Sequence, residues 1–242
     1  MTALADQIAV VTGASSGIGK AIALALVAQG TRLCLVGRNR QAMEAVAANA
    51  RAMAPRVLIS PTDLTQDVHV ERLALELQRE FGQIDVLVHS AGVFSRGTLH
   101  SAPVHDLDRQ YRTNVRAPYL LTQALLPMLK VRPGQIVFIN STAGLQARAG
   151  VSQYAATKHA LKAIANSLRE EVNAEGIRVL SVFPGNTATP LQEIICQMEG
   201  RVYQPELLLQ PEDVAAVVVN TLSLPRSAEV MDVRVRPMVK SY

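Results

Sequence analysis

The sequence predicts an α/β fold of the doubly wound type, with three layers and a mostly parallel seven-stranded sheet covered by helices on both faces. Two observations support this prediction. Short apolar runs alternate with longer segments of helical periodicity, which is typical of repeated strand-helix-strand units. The apolar runs are nearly continuous, as expected for parallel strands that are buried on both faces.

The predicted elements follow one another along the whole chain. We predict strands at 8–12, 33–36, 57–61, 86–89, 136–139, 179–183 and 230–235. We predict a first helix that follows a glycine-rich turn and ends at Gln29, and further helices at 41–53, 68–81, 104–130 and 152–174, with Pro118 and Pro127 as kinks or ends of the helix 104–130. The least regular segment, 189–210, is interpreted as a substrate lid. Because no linker divides the 242 residues, we expect one domain over 1–242.

The composition argues against several classes of protein. Hydrophobic residues make up 49% and charged residues 18%, which disfavours disorder. Apolar stretches are far shorter than a membrane-spanning helix requires, and the first six residues carry no features of a secretory signal. We therefore expect a cytoplasmic protein with no membrane partner, in which Cys34 and Cys196 are reduced thiols.

The charged residues give few further signals. The net charge is +4, but the basic residues are scattered and there is no Trp to stack on bases, so we expect no nucleic-acid partner. Arg96 and Arg148, in loops after the fourth and fifth strands, are candidates for binding an anionic substrate group, although a solvated loop arginine is the favoured interpretation of each. The histidines show no metal-ligand spacing, so we predict no metal site; they are His69, His89, His100, His105 and His159.

A glycine-rich turn, Thr12-Gly13-Ala14-Ser15-Ser16-Gly17-Ile18-Gly19, joins the first strand to the first helix. Glycines allow a close approach of backbone to pyrophosphate, and a helix N-terminus offers free N–H groups. The spacing is Gly-x-x-x-Gly-x-Gly rather than Gly-x-Gly-x-x-Gly, so the turn alone is a weak signal. Its position favours a dinucleotide site formed by Gly13, Ser15, Ser16, Gly17, Ile18 and Gly19.

The residues after the second and third strands bear on the nature of the cofactor. Arg38 follows the second strand where no carboxylate is present, and an arginine there accommodates the 2′-phosphate of NADP. The sequence therefore favours NADP(H) over NAD. Asp63 is a candidate acceptor for the adenine amino group, with the Leu64 N–H beside the ring. Equally, Asp63 or Thr65 is a candidate cap for the next helix.

Tyr154 and Lys158 are four residues apart on a predicted helix, so they project from one face. A tyrosine of ordinary pKa is a poor acid or base at pH 7 unless positive charge favours its phenolate. We expect Lys158, together with an oxidised nicotinamide, to lower the pKa of Tyr154 by about three pH units. Ser141 follows the fifth strand, at the edge of the sheet where ligands gather. Asn114 lies in a predicted helix that its amide does not favour, which predicts a local kink.

Together these motifs resemble the short-chain dehydrogenase/reductase family, in its short single-domain type, over residues 12–185. The resemblance implies a Rossmann fold and an NADP-dependent oxidoreductase that transfers a hydride between nicotinamide and a small carbonyl or alcohol substrate. It implies that Tyr154 is the general acid/base, that Lys158 binds the nicotinamide ribose, and that Ser141 positions the carbonyl. Asn114 would hold a water in a proton relay. Further implied cofactor contacts are Tyr154, Lys158, Ser90, Ala91, Gly92, Pro184, Gly185 and Thr187.

The sequence departs from the family pattern in two places. The family's Asn-Asn-Ala-Gly is here His89-Ser90-Ala91-Gly92, and we expect the Ser90 hydroxyl to replace part of the lost bonding. The C-terminal segment 229–237 lacks the Val-Asp-Gly-Gly of many acyl-carrier-protein reductases and is similar to members that act on small hydroxy acids, aldehydes or ketones. The family also implies a homodimer or homotetramer that pairs helices 104–130 and 152–174.

Two alternatives to a carbonyl reductase remain open. One is a non-catalytic NADP-binding regulator or scaffold, which the intact set of catalytic residues disfavours. The other is a sugar epimerase or dehydratase, which the chain length and the spacing of the glycine turn disfavour.

Overall fold

The computed structural model describes residues 2–53 and 56–239 of the chain. Seven strands form one sheet in the order β3-β2-β1-β4-β5-β6-β7, and every neighbouring pair is parallel. The predicted doubly wound α/β fold is thus confirmed. The last strand begins two residues later than predicted. The strands are β1 Ile8–Thr12, β2 Arg32–Gly37, β3 Val57–Pro61, β4 Val86–His89, β5 Gln135–Ile139, β6 Arg178–Pro184 and β7 Asp232–Val235.

Helices cover both faces of the sheet and enclose two apolar cores. They are α1 Gly17–Val27, α2 Arg40–Arg51, α3 Asp67–Glu80, α4 Val104–Tyr111, α5 Ala117–Val131, α6 Ser152–Val172, α7 Pro190–Met198 and α8 Pro211–Leu222. One core joins α1, α2 and α8 to the sheet, and the other joins α3, α5 and α6. In β1, Ala9 and Val11 enter the first core and Val10 enters the second. This two-sided burial explains the continuous apolar runs.

The predicted helix 104–130 is interrupted where Asn114 suggested a kink. Residues Arg112–Arg116 form a π-helical turn between α4 and α5, and Asn114 is buried within it. Such a turn accommodates one extra residue in a helix and often marks a functional site. Pro118 lies in the first turn of α5, where proline is tolerated, and Pro127 lies inside α5 without ending it.

The segment 189–210 is more regular than we expected. The Thr189 side chain accepts a hydrogen bond from the Gln192 N–H, at 3.2 Å, and Pro190 is the first residue of α7. A short 3-10 turn, Pro205–Leu207, follows, and Pro211 is the first residue of α8. Both prolines therefore begin helices, and the segment between them contains α7 and one short 3-10 turn.

The two cysteines lie inside the fold. Cys34 and Cys196 are both buried free thiols, as predicted. Across residues 2–53 and 56–239, the model contains no helix that combines the length and apolar character needed to cross a bilayer.

His89, the last residue of β4, lies in the core beneath α5. Its Nε2 is 2.8 Å from the Thr122 hydroxyl oxygen, and its ring stacks on Phe138 with centroids 4.9 Å apart. Burial lowers the pKa of His89 to about 3, so the imidazole is neutral in the folded protein. The residue therefore serves packing rather than proton transfer.

Protonation of His89 should make folding stability depend on pH. In the unfolded chain the His89 imidazole has a pKa of 6.5, whereas in the folded chain its pKa is about 3. The contribution of the neutral His89 to the free energy of unfolding is therefore complete above pH 6.5 and is lost as the pH falls towards 3. From pH 7 to pH 5 the loss is about 2 kcal/mol. Urea unfolding at both pH values should show a smaller loss in His89→Asn than in the native chain.

The matched control is His69→Asn, at an exposed position on α3. That variant should keep the native pH dependence. A His89→Asn variant with the native dependence would show that His89 titrates normally in the folded protein.

Candidate active site

The glycines of the first turn are required by close contacts. Gly13 has φ +65°, and a Cβ there would lie 2.8 Å from the Ala91 N and Cα atoms. A Cβ on Gly19 would collide with the carbonyl oxygen of Gly13. Gly17 has φ +51°, and its Cβ would approach the Thr189 methyl group to 3.0 Å. The turn is therefore packed against both the loop after β4 and the start of α7.

Thr12 ties the ends of β1 and β4 together. Its hydroxyl donates to the Val88 carbonyl at 3.2 Å and accepts the N–H groups of Ser90 and Ala91 at 3.0 and 3.2 Å. Sequence reasoning missed this role, although a threonine directly before Gly13 was an available signal. Among the described residues the Ser90 hydroxyl makes no hydrogen bond to the protein, whereas the Ser90 N–H donates to Thr12.

A cleft of about 320 Å³ opens beside the glycine turn. In the described part of the chain, no acidic residue lies in the first turn of α1 and no side chain caps it, so the positive end of its dipole is available to an anion. The glycine cradle and this helix end together fit a dinucleotide pyrophosphate. The predicted cofactor residues lining the cleft are Gly13, Ser15, Ser16, Gly17, Ile18, Gly19, Arg38, Asp63, Leu64, Ser90, Ala91, Gly92, Tyr154 and Lys158.

Arg38 and Asp63 also line this cleft, which we call the nucleotide cleft. Arg38 is exposed there. The Asp63 Oδ1 accepts the N–H and hydroxyl of Thr65 at 3.0 and 2.8 Å. Burial opposes ionisation of Asp63, but these bonds and the Arg38 charge outweigh it and lower its pKa. Since Gln66 is the residue before α3, neither Asp63 nor Thr65 caps that helix.

A second cleft, of about 880 Å³, adjoins the first. Pro184, Gly185 and Thr187, the remaining predicted cofactor residues, line this larger cleft. Segment 189–210 supplies part of its wall, through Thr189, Leu191, Gln192, Ile195, Glu199 and Arg201. Among the residues that the structure describes, no group of three or more His, Cys, Asp or Glu side chains could hold a metal ion.

Tyr154 lies where the two clefts meet, because it lines both. Ser141 lines only the larger cleft and Lys158 only the nucleotide cleft. The Ser141 Oγ accepts the Ala143 N–H at 3.1 Å, at the start of a 3-10 turn after β5. The Phe94 ring packs edge-on against Tyr154, with centroids 5.0 Å apart.

Burial controls the proton affinity of Tyr154 and Lys158. The Lys158 Nζ donates to the Ile139 carbonyl at 3.0 Å and lies 5.8 Å from the Tyr154 ring centroid. Desolvation lowers the pKa of Lys158 to about 8 and raises the pKa of Tyr154 to about 12. The Ser141 hydroxyl acts on Tyr154 in the opposite direction, but its effect is smaller than that of desolvation. Lys158 by itself therefore does not produce the expected lowering of the tyrosine pKa.

Asn114 lies behind the site and lines neither cleft. Its Oδ1 accepts the Val93 N–H and its Nδ2 donates to the Val93 carbonyl, both at 2.9 Å. The same Nδ2 donates to the Thr157 hydroxyl at 3.2 Å. The side chain therefore fastens the π-helical turn to the loop after β4 and to α6.

Asn140 is a supporting residue that the sequence analysis missed. Its N–H donates to the Val182 carbonyl at 2.7 Å, and its Nδ2 donates to the Lys158 carbonyl at 3.1 Å. A Cβ on Gly144 would lie only 2.9 Å from that same carbonyl oxygen. The hydrogen bond to the Lys158 carbonyl and the close approach of Gly144 to it hold α6 against the end of β5. This packing sets the position of Tyr154 relative to Ser141.

Comparison with known proteins agrees with this arrangement. The family model for short chain dehydrogenases matches residues 7–200. An uncharacterized oxidoreductase from Staphylococcus aureus (strain USA300) is 33% identical over 241 residues, which cover 98% of this chain and 100% of the relative.

Two solved structures with NADP-type ligands align over nearly the full chain. The closed form of a serine dehydrogenase complexed with NADP+ has a TM-score of 0.89 and 28% identity, covering 98% of this chain and 97% of that one. An alcohol dehydrogenase from the archaeon Thermococcus sibiricus, complexed with 5-hydroxy-NADP, has a TM-score of 0.88 and 25% identity, covering 98% of each chain. The motifs, the sheet order and the full-length likenesses together establish that the protein belongs to the short-chain dehydrogenase family of oxidoreductases.

Proposed function

We propose that the protein is an NADP(H)-dependent oxidoreductase that interconverts a carbonyl group and an alcohol, with Tyr154 as the proton donor or acceptor. One observation carries the proposal: Tyr154 lies at the junction of the two clefts, with Ser141 on one side and Lys158 on the other. A substrate oxygen in the larger cleft would meet both hydroxyls beside a cofactor in the nucleotide cleft. Such positioning supplies much of the catalytic effect in hydride transfer.

The residues of the nucleotide cleft fit NADP(H), which supplies the hydride of the reduction when bound. The glycine turn and the α1 N-terminus suit the pyrophosphate. Arg38 would bind the 2′-phosphate, while Asp63 and Leu64 would contact the adenine. Pro184, Gly185 and Thr187 would hold the nicotinamide end. NADP-type ligands in two similar structures support this choice of cofactor.

The protonation states suit Tyr154 as the acid in carbonyl reduction. With a pKa of about 12, its phenol is neutral at pH 7 and holds the proton that the substrate oxygen needs. Ser141 would donate to the same oxygen as negative charge develops. Lys158, which is largely an ammonium below pH 8, would stabilise the phenolate that remains after transfer.

The remaining parts of the proposal concern the whole chain. We propose one cytoplasmic domain in which segment 189–210 covers the substrate. We also propose a homo-oligomer that buries apolar side chains now exposed along α4 and α5, among them Val104, Tyr111 and Val131.

Tyr154→Phe tests the proton-transfer role. The variant should bind NADPH normally and lose turnover by about 100-fold or more, since a positioned acid contributes that much. NADPH consumption across a panel of ketones and aldehydes measures the effect.

Tyr119→Phe, at an exposed position on α5, is the matched control and should retain full turnover. Retained turnover in Tyr154→Phe would remove the mechanism. Failure of the native protein to consume NADPH with any panel member would favour the non-catalytic regulator.

Arg38→Asp tests the choice of cofactor. Replacing a cation by a carboxylate should lower the preference for NADPH over NADH, as the ratio of kcat/KM values, by about 10-fold or more. Arg40→Asp changes the charge equally at a neighbouring exposed position outside both clefts, and should leave that ratio near its native value. An unchanged ratio in Arg38→Asp would refute the assignment of Arg38 to the 2′-phosphate.

A further inference from the structure

The larger cleft carries a concentrated positive charge. Its charged lining residues are one glutamate, Glu199, and five arginines, namely Arg96, Arg148, Arg201, Arg234 and Arg236. Five positive charges against one negative charge leave a formal charge of +4. The whole sequence has 24 basic and 20 acidic residues, so the remaining 19 of each sign balance. The entire formal charge excess of the protein is therefore located at this cleft.

The arginines reach the cleft from four separate parts of the chain. Arg96 lies in the loop after β4, Arg148 in the loop between β5 and α6, and Arg201 just after α7. Arg234 lies in β7, and Arg236 follows that strand. A solvated helix face would place its charges at regular spacing on one element. Here the fold itself brings the charges together, at the sheet edge where doubly wound proteins bind ligands.

Most of these guanidinium groups are not occupied by the protein's own acceptors. Glu199 pairs with Arg96, at 2.8 Å, and with Arg201. Within the described residues, Arg148, Arg234 and Arg236 form neither an ion pair nor a side-chain hydrogen bond. Concave walls of low dielectric strengthen the field of such a cluster and attract anions.

Structural arginines elsewhere in the protein look different. Arg169, buried in α6, donates to the Val179 and Met231 carbonyls at 3.0 and 3.1 Å. Arg178 donates to the carbonyls of Leu222 and Ala228 at 3.1 and 2.9 Å. These side chains cross-link backbone segments. The arginines with open donors in the larger cleft have no such structural task.

We propose that the natural substrate carries an oxyanion group, a carboxylate or a phosphate, which the arginines of the larger cleft bind while its carbonyl or alcohol lies at Tyr154. The planar guanidinium matches the geometry of both groups and binds them through paired hydrogen bonds. This inference rests on the proposed oxidoreductase function and specifies its substrate class. Arg148 and Arg234 are the positions to test first, because no described carboxylate competes for them.

The first test compares anionic and neutral partners of the same carbonyl compound. The pairs are acetoacetate with methyl acetoacetate, and dihydroxyacetone phosphate with dihydroxyacetone, each reduced with NADPH. The native protein should have the higher kcat/KM for the anionic member of at least one pair, and the identity of that pair distinguishes carboxylate from phosphate. In Arg148→Ala/Arg234→Ala the anionic-to-neutral ratio should fall about 10- to 100-fold.

Two further variants control this result. Arg72→Ala removes an exposed arginine of α3 that lines neither cleft, and should keep the native ratio. Glu199→Gln removes the carboxylate that competes for Arg96 and should raise the ratio. A native preference for the neutral members, or a ratio unchanged in the double arginine variant, would overturn the anionic substrate while leaving the oxidoreductase function intact.

A binding measurement decides the question if none of the four compounds is reduced. Malonate should raise the Tm of the NADP+-saturated protein more than malonamide does, with ionic strength matched by sodium chloride. The extra rise should disappear in the double arginine variant and persist in Arg72→Ala. Absence of the extra rise in the native protein would overturn the anion site. A rise without reduction of any carbonyl would instead count against the oxidoreductase proposal.

Discussion

The site depends on how closely the carboxyl ends of β1 and β4 approach each other. The strand order reverses direction between these neighbours, so their ends border the crevice in which doubly wound folds bind ligands. The Thr12 hydroxyl holds the two ends through three hydrogen bonds. Gly13 then fits against Ala91 with no room for a side chain. The shape of the nucleotide cleft follows from this packing of backbone on backbone.

The two clefts differ in how firmly their walls are held. Tyr154 and Lys158 lie on α6, which is fastened to neighbouring elements by Asn140, by Ile139 and by the pairing of Asn114 with Thr157. The proposed reacting groups, Tyr154 and Lys158, therefore lie on a helix that is held at several points. The larger cleft is lined by loops as well as by side chains of α6, α7 and β7, and four of its five arginines are exposed. In the proposed reaction, proton transfer would fall to α6 and substrate binding to these arginines, so one function could vary while the other stays the same.

The strands, and the position of Tyr154 and Lys158 on one helix face, could be predicted because their signals are local. The first four residues of β1 are apolar, and Tyr154 and Lys158 share a helix face through their spacing alone. Helix α7 also has a local signature, since Thr189 and Pro190 are both favoured at a helix start.

Other features could not be predicted because they depend on contacts between distant residues. The partners of Thr12 lie more than 70 residues away, and those of Asn114 lie 21 and 43 residues away. Burial raises the pKa of Tyr154 and lowers the pKa of Lys158. The four-residue spacing of the two side chains does not reveal how deeply they are buried. The arginines of the larger cleft are scattered along the sequence, and only the fold brings them together.

The π-helical turn at Arg112–Arg116 also fixes the phase of the helix that contains it. One residue rotates the following part of an α-helix by about 100°. Before the turn, Gln110 accepts the Ser95 N–H at 3.0 Å; after it, Leu121 and Leu125 enter the core. A regular α-helix with the same number of residues would rotate one of these two faces away from its partner by about this angle. The wider π-helical turn absorbs this rotation, so the residues on both sides of it keep their contacts and Asn114 is held buried between them.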